Sequence, residues 1–493
     1  MNEANQIEYE DGICNLNGGE GLYPDTRPSG GWFHRNASRL FISAMFLYVF
    51  ITIFIGLYFT KSVSLMLVYF LACLVCISLL LACRKDLFSP ICMSVMWFFL
   101  SFLLLIPWSA SIRDLVPDIP ESHMLVYTVS LSLLALLCFA LGTVCSLDRL
   151  ICPLLRWVLK TRGPLRPVGQ LEFVLLLGWV VFASYIRLTM HIDIAGVTTD
   201  LGGNITGLLH HLFFTVTNAL ILLFLYRALS AGRIYLIQLL FLAGIFVGTQ
   251  LLLGWRSGLK EILIPGFVVF WYQYLRPSMR RRSMIWIFAL VLAIPTTLSI
   301  GNAMRTSRSG GAPQAFSEGG VHGFLVKLVT RLDGNSRFAG VLDHEMGGGE
   351  LSFANHFQMV TLLKQRASTA GYADHEIWKI DVTFAHSRGA SGPGGAYIAL
   401  GILGIVLGYI FLGGLFQAVY RLCYSLSNPS LAVVLYGLMV VDLAKLYAEN
   451  FSMTQIGKSY TFLLFVFLLV KRFYLRRSGS AALLREGHYG SQQ

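Results

Sequence analysis

Residues 63–83 read VSLMLVYFLACLVCISLLLAC and run straight into Arg84-Lys85. No side chain in the run carries a charge. As a helix rising 1.5 Å per residue it extends about 31 Å, the thickness of a bilayer's hydrocarbon core. Runs of this kind recur along the chain, near 39–60, 63–83, 87–107, 123–145, 171–190, 208–229, 234–254, 257–275, 284–301, 396–420, 428–448 and 454–471. They predict an all-α, polytopic integral membrane protein with about twelve transmembrane helices. The runs near 257–275 and 428–448 carry several polar residues and are the weakest.

Composition points the same way. Of the 493 residues, 55% are hydrophobic and 13% charged, and the mean hydropathy is +0.65. Soluble domains carry about 25% charged residues, so a soluble enzyme and a disordered chain are both excluded. The net charge of +12 reads as a topology signal and not as a nucleic-acid footprint, because the Lys and Arg residues gather in short loops. Arg84-Lys85, Arg149 to Arg166, Arg227 with Arg233, Arg276 to Arg282, Arg421 and Lys471 to Arg477 all fall on one side when the helices number twelve. That side is predicted to be cytoplasmic, with both termini inside, in a bacterial inner membrane.

The expected layout follows. A cytoplasmic tail covers 1–37, helices 1 to 9 cover 38–301, an extracytoplasmic loop covers 302–395, helices 10 to 12 cover 396–471, and a second cytoplasmic tail covers 472–493. The first tail is acidic and lacks an apolar core, so it is not a signal peptide. The long loop holds nine Lys/Arg, eight Asp/Glu and five of the eleven histidines. Val321, Phe324, Leu325, Leu328 and Leu332 recur in it at helical spacing, which predicts a short amphipathic helix, with a weaker one over 353–363. No cysteine lies in this loop, so no disulfide framework is expected there.

Charged residues on the outer side, where topology does not need them, are the functional candidates. Arg256 stands in Gly254-Trp255-Arg256-Ser257-Gly258-Leu259, a polar knot between two apolar helices. It either snorkels to lipid headgroups or binds a lipid phosphate, for which the guanidinium fork is better suited than an ammonium. Arg305 and Arg308 follow the ninth segment, and Arg331, Asp333 and Arg337 form a third outer cluster that also reads as a solvated helix face. His386 and Arg388 lie in a Gly/Ser-rich stretch ahead of the tenth segment. Asp442, Lys445 and Glu449 share one face of the eleventh, as a cavity lining or as a pair that orients helices. No phosphate-binding loop, zinc-binding His-Glu-x-x-His or nucleophile elbow occurs, and the outer histidines lack metal-ligand spacing. No metal and no cofactor is expected.

Three features together resemble the Wzy-type oligosaccharide repeat unit polymerases of the O-antigen polymerase superfamily. They are the Gly254-Trp255-Arg256 turn opening an apolar helix, the late outer loop with Arg305, Arg308, Arg331 and Arg337, and the Ser387–Gly395 approach to a Gly-rich helix with the basic exit Tyr420-Arg421. The resemblance spans roughly 250–450 and implies a GT-C-like polymerase or ligase fold. It implies polyprenyl-pyrophosphate-linked oligosaccharides as substrates within membrane lipids, with a chain-length regulator or flippase as partner and no nucleic acid. On that reading Arg256, Arg305, Arg308, Arg331, Arg337 and Arg388 bind pyrophosphate. His386, Glu449 or Asp333 activates the acceptor hydroxyl, and Tyr372 and Trp378 stack on sugars. Two alternatives stand beside it: an O-antigen-type ligase that moves finished glycan, and a lipid-linked oligosaccharide flippase or secondary transporter. The second is disfavoured because no internal repeat is present and the long loop breaks any two-fold symmetry.

Overall fold

A computed structural model describes residues 31–82, 88–109, 120–145, 148–159, 170–190, 205–231, 233–252, 256–275, 333–348, 377, 390–426, 430–448, 463–464 and 466–468. Among these the chain is helical, with no strand. The helices are α1 (Gly31–Thr60), α2 (Val63–Ala82), α3 (Pro90–Phe98), α4 (Ser122–Val144), α5 (Asp148–Leu159), α6 (Gln170–Met190), α7 (Ile205–Ala231), α8 (Arg233–Leu252), α9 (Arg256–Phe270), α10 (Gly334–Met346), α11 (Gly392–Ser425) and α12 (Ser430–Ala448). Four stretches among the described residues are long and apolar enough to cross a membrane: Val63–Ala82, Pro90–Trp108, Ser122–Val144 and Gly392–Ser425. The segments expected at 284–301 and, for the most part, at 454–471 lie outside the described residues, as do the amphipathic helices expected over 321–332 and 353–363.

Large apolar side chains also lie on the outside. Phe46, Leu47, Phe50 and Phe54 of α1, Leu67 of α2 and Leu175 and Phe182 of α6 are exposed. Exposed apolar side chains in this number fit a solvent that is itself apolar. Inside, one large cluster joins α2, α3, α4, α10, α11 and α12, and a smaller one joins α6, α7, α8 and the start of α9. Gly437 of α12 packs against Pro265 of α9.

Glycine permits the closest approaches. Gly142 of α4 lies against the Ile410 backbone of α11, and Gly413 of α11 lies against the Phe139 carbonyl, so two backbones meet where a side chain would hold them apart. Gly178 of α6 has open space around its Cα. Gly178→Ala is therefore expected to stabilise the protein by up to about 1 kcal/mol through helix propensity alone, read from thermal unfolding in detergent.

The helix α1 begins at Gly31, inside the stretch expected as the tail 1–37, and two further elements differ from the sequence expectation. The tenth segment was expected as a single helix over 396–420. In the structure α11 begins earlier and breaks at Leu400 and Gly401, where φ of Gly401 is +61°. Gly404 then lies against the Ala396 carbonyl, and Tyr409 reaches back to Gly392. The first eight residues thus fold back along the following stretch as a helical hairpin. Hydropathy cannot reveal this break, because both arms are apolar. The second difference is α5, in a connection read only for its charge. It buries Leu155, Val158 and Leu159 despite its internal Pro153.

Candidate functional site

The long segment between the ninth and tenth predicted spans is tied into the bundle by α10. Asp333 precedes this helix as its N-cap. Its Oδ1 accepts from the Asn335 amide at 3.1 Å and the Ser336 amide at 3.2 Å, and the Ser336 hydroxyl donates to Oδ2. The run Asp333-Gly334-Asn335-Ser336 places small and polar residues where a helix start needs them, since the first amide groups have no partner inside the helix.

Asn335 fastens this start to two other helices. Its Nδ2 donates to the Phe102 carbonyl at 2.8 Å, and its Oδ1 accepts from the Thr128 hydroxyl at 3.1 Å. The Phe102 carbonyl is available because α3 ends in a wide π turn, Phe99–Leu103, followed by a 3-10 turn, Ile106–Trp108. Tyr48 of α1 donates to the next such carbonyl but one, Leu104, at 3.0 Å. Gly334 rests on the Phe102 ring, with no room for a methyl group. All of these groups are buried or half-buried, so each bond exchanges water for a protein partner.

The other side of α10 meets the hairpin of α11. Ser391, at φ +64°, caps α11 by accepting from the Gly394 amide at 3.2 Å. Gly394 sits on Phe338 and Val341 of α10, Tyr397 packs edge-on against Phe338, and the Tyr397 hydroxyl donates to Glu345 at 2.6 Å. Behind the hairpin, Gly392 presses on the Leu446 backbone of α12 and the Tyr409 hydroxyl donates to the Leu446 carbonyl.

The charged candidates divide accordingly. Asp333 is 5% exposed, and its oxygens are spent on the cap. Its carboxyl is held above the ordinary carboxylate range because burial outweighs the opposing hydrogen bonds from Ser336 and Asn335 and the nearby Arg337 charge. The expected role of Asp333 as a hydroxyl-activating group gives way to a structural one. Arg337, one turn into α10, is half-buried. Arg256 is the first residue of α9. Arg305, Arg308, Arg331, Tyr372, Trp378, His386, Arg388 and Glu449 lie outside the described residues. Asn335, which ties α10 to Phe102 and Thr128, is not among the sequence candidates. The Asp-Gly-Asn-Ser run marks the helix start but says nothing of its partners at 102 and 128.

A raised carboxyl fixes the sign of a pH effect. The folded state holds the Asp333 proton more tightly than the unfolded chain does. The group's contribution is therefore favourable below its ordinary value of 3.8 and is lost as pH rises through the raised folded value. Hydrogen exchange of the α10 amides is expected to quicken across that window, and Asp333→Asn, which keeps the cap oxygen, is expected to flatten the dependence.

No family model, no curated protein and no solved structure matches the chain. Among the described residues, no cluster of His, Cys, Asp and Glu has the makings of a metal site.

Proposed function

We propose that this chain is a membrane glycosyltransferase. It polymerises polyprenyl-pyrophosphate-linked oligosaccharide repeat units into a surface polysaccharide or exopolysaccharide on the outer face of the bacterial plasma membrane. The observation that carries the reading is the position of Arg256 at the first turn of α9, immediately after the Gly254-Trp255 turn that resembles the polymerase motif. A helix N-terminus favours anions through its unpaired amides and dipole, and a guanidinium in the same turn adds a planar, phosphate-matching fork. The docking of α10 supports it: the polar segment is anchored across the bundle, as a cover over a membrane-surface reaction has to be.

In this mechanism the acceptor hydroxyl of one lipid-linked unit attacks the anomeric carbon of the other chain's reducing-end sugar. The carbon–oxygen bond to pyrophosphate breaks, and polyprenyl pyrophosphate leaves with the electron pair. The hydroxyl proton passes to His386 or Glu449, since Asp333 is committed to its cap. Arg256, Arg305 and Arg308, with Arg331, Arg337 and Arg388 as further candidates, hold the charge that develops on the leaving group. Tyr372 and Trp378 offer ring faces to the sugars. Because the donor is already activated, no nucleotide is required.

The full chain in liposomes, supplied with a polyprenyl-pyrophosphate oligosaccharide, is expected to yield a ladder of repeat numbers on the carrier lipid. Transfer of preformed glycan to a lipid A core without a ladder would assign a ligase. Translocation of lipid-linked units with no new glycosidic bond would assign a flippase. Either outcome overturns the proposal.

A further inference from the structure

The helix α5 has more apolar surface than the protein covers. Leu155, Val158 and Leu159 turn inward, and the Cys152 thiol approaches the Ala418 carbonyl of α11 at 4.0 Å. On the other side Leu154 is 61% exposed and Trp157 62% exposed. Successive helical residues step by about 100°. The buried positions 155, 158 and 159 and the half-buried Cys152 therefore occupy one arc, and 154 and 157 extend the apolar surface beyond its edge. Pro153 and Arg156, also exposed, complete the open arc.

Geometry sets the depth of this helix. It starts four residues after Val144, the last residue of a stretch able to cross a membrane. Four residues reach at most about 14 Å, so α5 begins within the headgroup zone of that span's end. Ala418 lies seven residues inside the end of α11, roughly 10 Å along the helix. A helix seated on Ala418 is therefore held beside the membrane-crossing part of α11 and not out in water. Exposed Leu154 and Trp157 at that depth face acyl chains and the headgroup boundary, where tryptophan is favoured.

Charge selects the occupant of this face. Arg149 and Arg156 lie within α5, and Lys160, Arg162 and Arg166 follow it, against the single acid Asp148. The same residues serve to orient the helices, and they also leave this side of α5 strongly basic. A leaflet of anionic phospholipid attracts such a basic surface, and the attraction is screened by salt. We propose that α5 is an interfacial anchor that binds anionic phospholipid headgroups, its apolar edge sunk beside α11 and the exposed Arg156 held against lipid phosphates. The inference is independent of the polymerase reading.

The test uses the full chain in nanodiscs of phosphatidylcholine alone or with phosphatidylglycerol. Phosphatidylglycerol is expected to raise the melting temperature of the natural protein, and 0.5 M sodium chloride is expected to remove most of that rise. Arg156→Glu is expected to lose at least half of the phosphatidylglycerol-specific rise while melting as the natural protein does in phosphatidylcholine. Arg156→Gln, with a smaller loss, serves if the glutamate variant does not fold. A second reading comes from brominated lipids. The tryptophan emission that Trp157→Phe removes is expected to be the more strongly quenched when the bromine is carried on phosphatidylglycerol. An equal rise in natural protein and variant, no rise at all, or a Trp157 signal blind to lipid bromine overturns the proposal. So does a halved particle mass in Trp157→Ser, which would assign the face to a second copy of the chain.

Discussion

Gly392→Ala is expected to be the most disruptive single methyl group that can be added to the described part of this protein. A Cβ at Gly392 would overlap the Leu446 carbonyl group of α12 and crowd the Tyr409 hydroxyl at 2.9 Å. The obstacle is backbone, which cannot rotate away as a side-chain tip would. It also accepts the Tyr409 hydrogen bond, so moving Leu446 aside unpairs a buried hydroxyl. Overpacking usually costs about 1–3 kcal/mol, and the lost bond adds to it, so destabilisation of about 3 kcal/mol or more is expected. The measurement is thermal unfolding in detergent beside Gly178→Ala, where the added methyl meets nothing. Similar melting temperatures for the two variants would show that the hairpin does not press on α12.

The effect is expected to spread to α10. The first arm of α11 is held between Leu446 on one side and Phe338 and Val341 on the other. Displacing it removes the floor on which α10 rests, leaving the Asn335 bonds to Phe102 and Thr128 and the Gly334 contact with the Phe102 ring. Asn335→Leu probes that attachment separately. It leaves the Phe102 carbonyl without its Asn335 partner, an unsatisfied-group penalty of about 1–3 kcal/mol, while the Thr128 hydroxyl keeps the Leu125 carbonyl at 3.1 Å as an acceptor. Faster hydrogen exchange in α10, with α2 and α4 unchanged, is the expected signature.

The positions of most helices were legible because lipid imposes a simple rule: a backbone that crosses it pairs with itself, and the side chains around it are apolar. Hence residues 63–83, read from hydropathy, and α2 differ by one residue at the end. The break at Leu400–Gly401 was not legible, because an apolar hairpin and an apolar straight helix have the same composition. The amphipathic α5 was hidden for a different reason. Its Arg residues announced a loop, whereas the buried Leu155, Val158 and Leu159 become visible as a face only once a neighbour is known. At the site, Asp333 was singled out correctly as a residue needing an explanation, but charge alone does not separate a carboxylate that caps a helix from one that takes a proton. The difference lies in its neighbours at 335 and 336 and in its burial. Arg256 stands out in the sequence as an Arg between two apolar runs on the side where topology needs no positive charge, and α9 opens on it.

On the proposed polymerase reading, Arg256→Lys is expected to cut polymer synthesis by about 100-fold, the typical loss on removing one donor that contacts charge developing in a transition state. The substitution keeps the positive charge and the helix start, so binding of the anionic donor survives in large part. It removes the planar pair of donors that can hold two phosphate oxygens at once. The effect should therefore fall on turnover more than on the donor concentration needed for half-maximal rate, which is the mark of an interaction stronger in the transition state than in the ground state. Arg256→Ala removes the charge too and is expected to affect both. Ladder length and yield from the reconstituted chain, measured across donor concentrations, separate the two variants. Natural rates in Arg256→Lys, in a protein with unchanged melting temperature, would return Arg256 to the role of a headgroup contact and shift the search for the pyrophosphate site to Arg305 and Arg308.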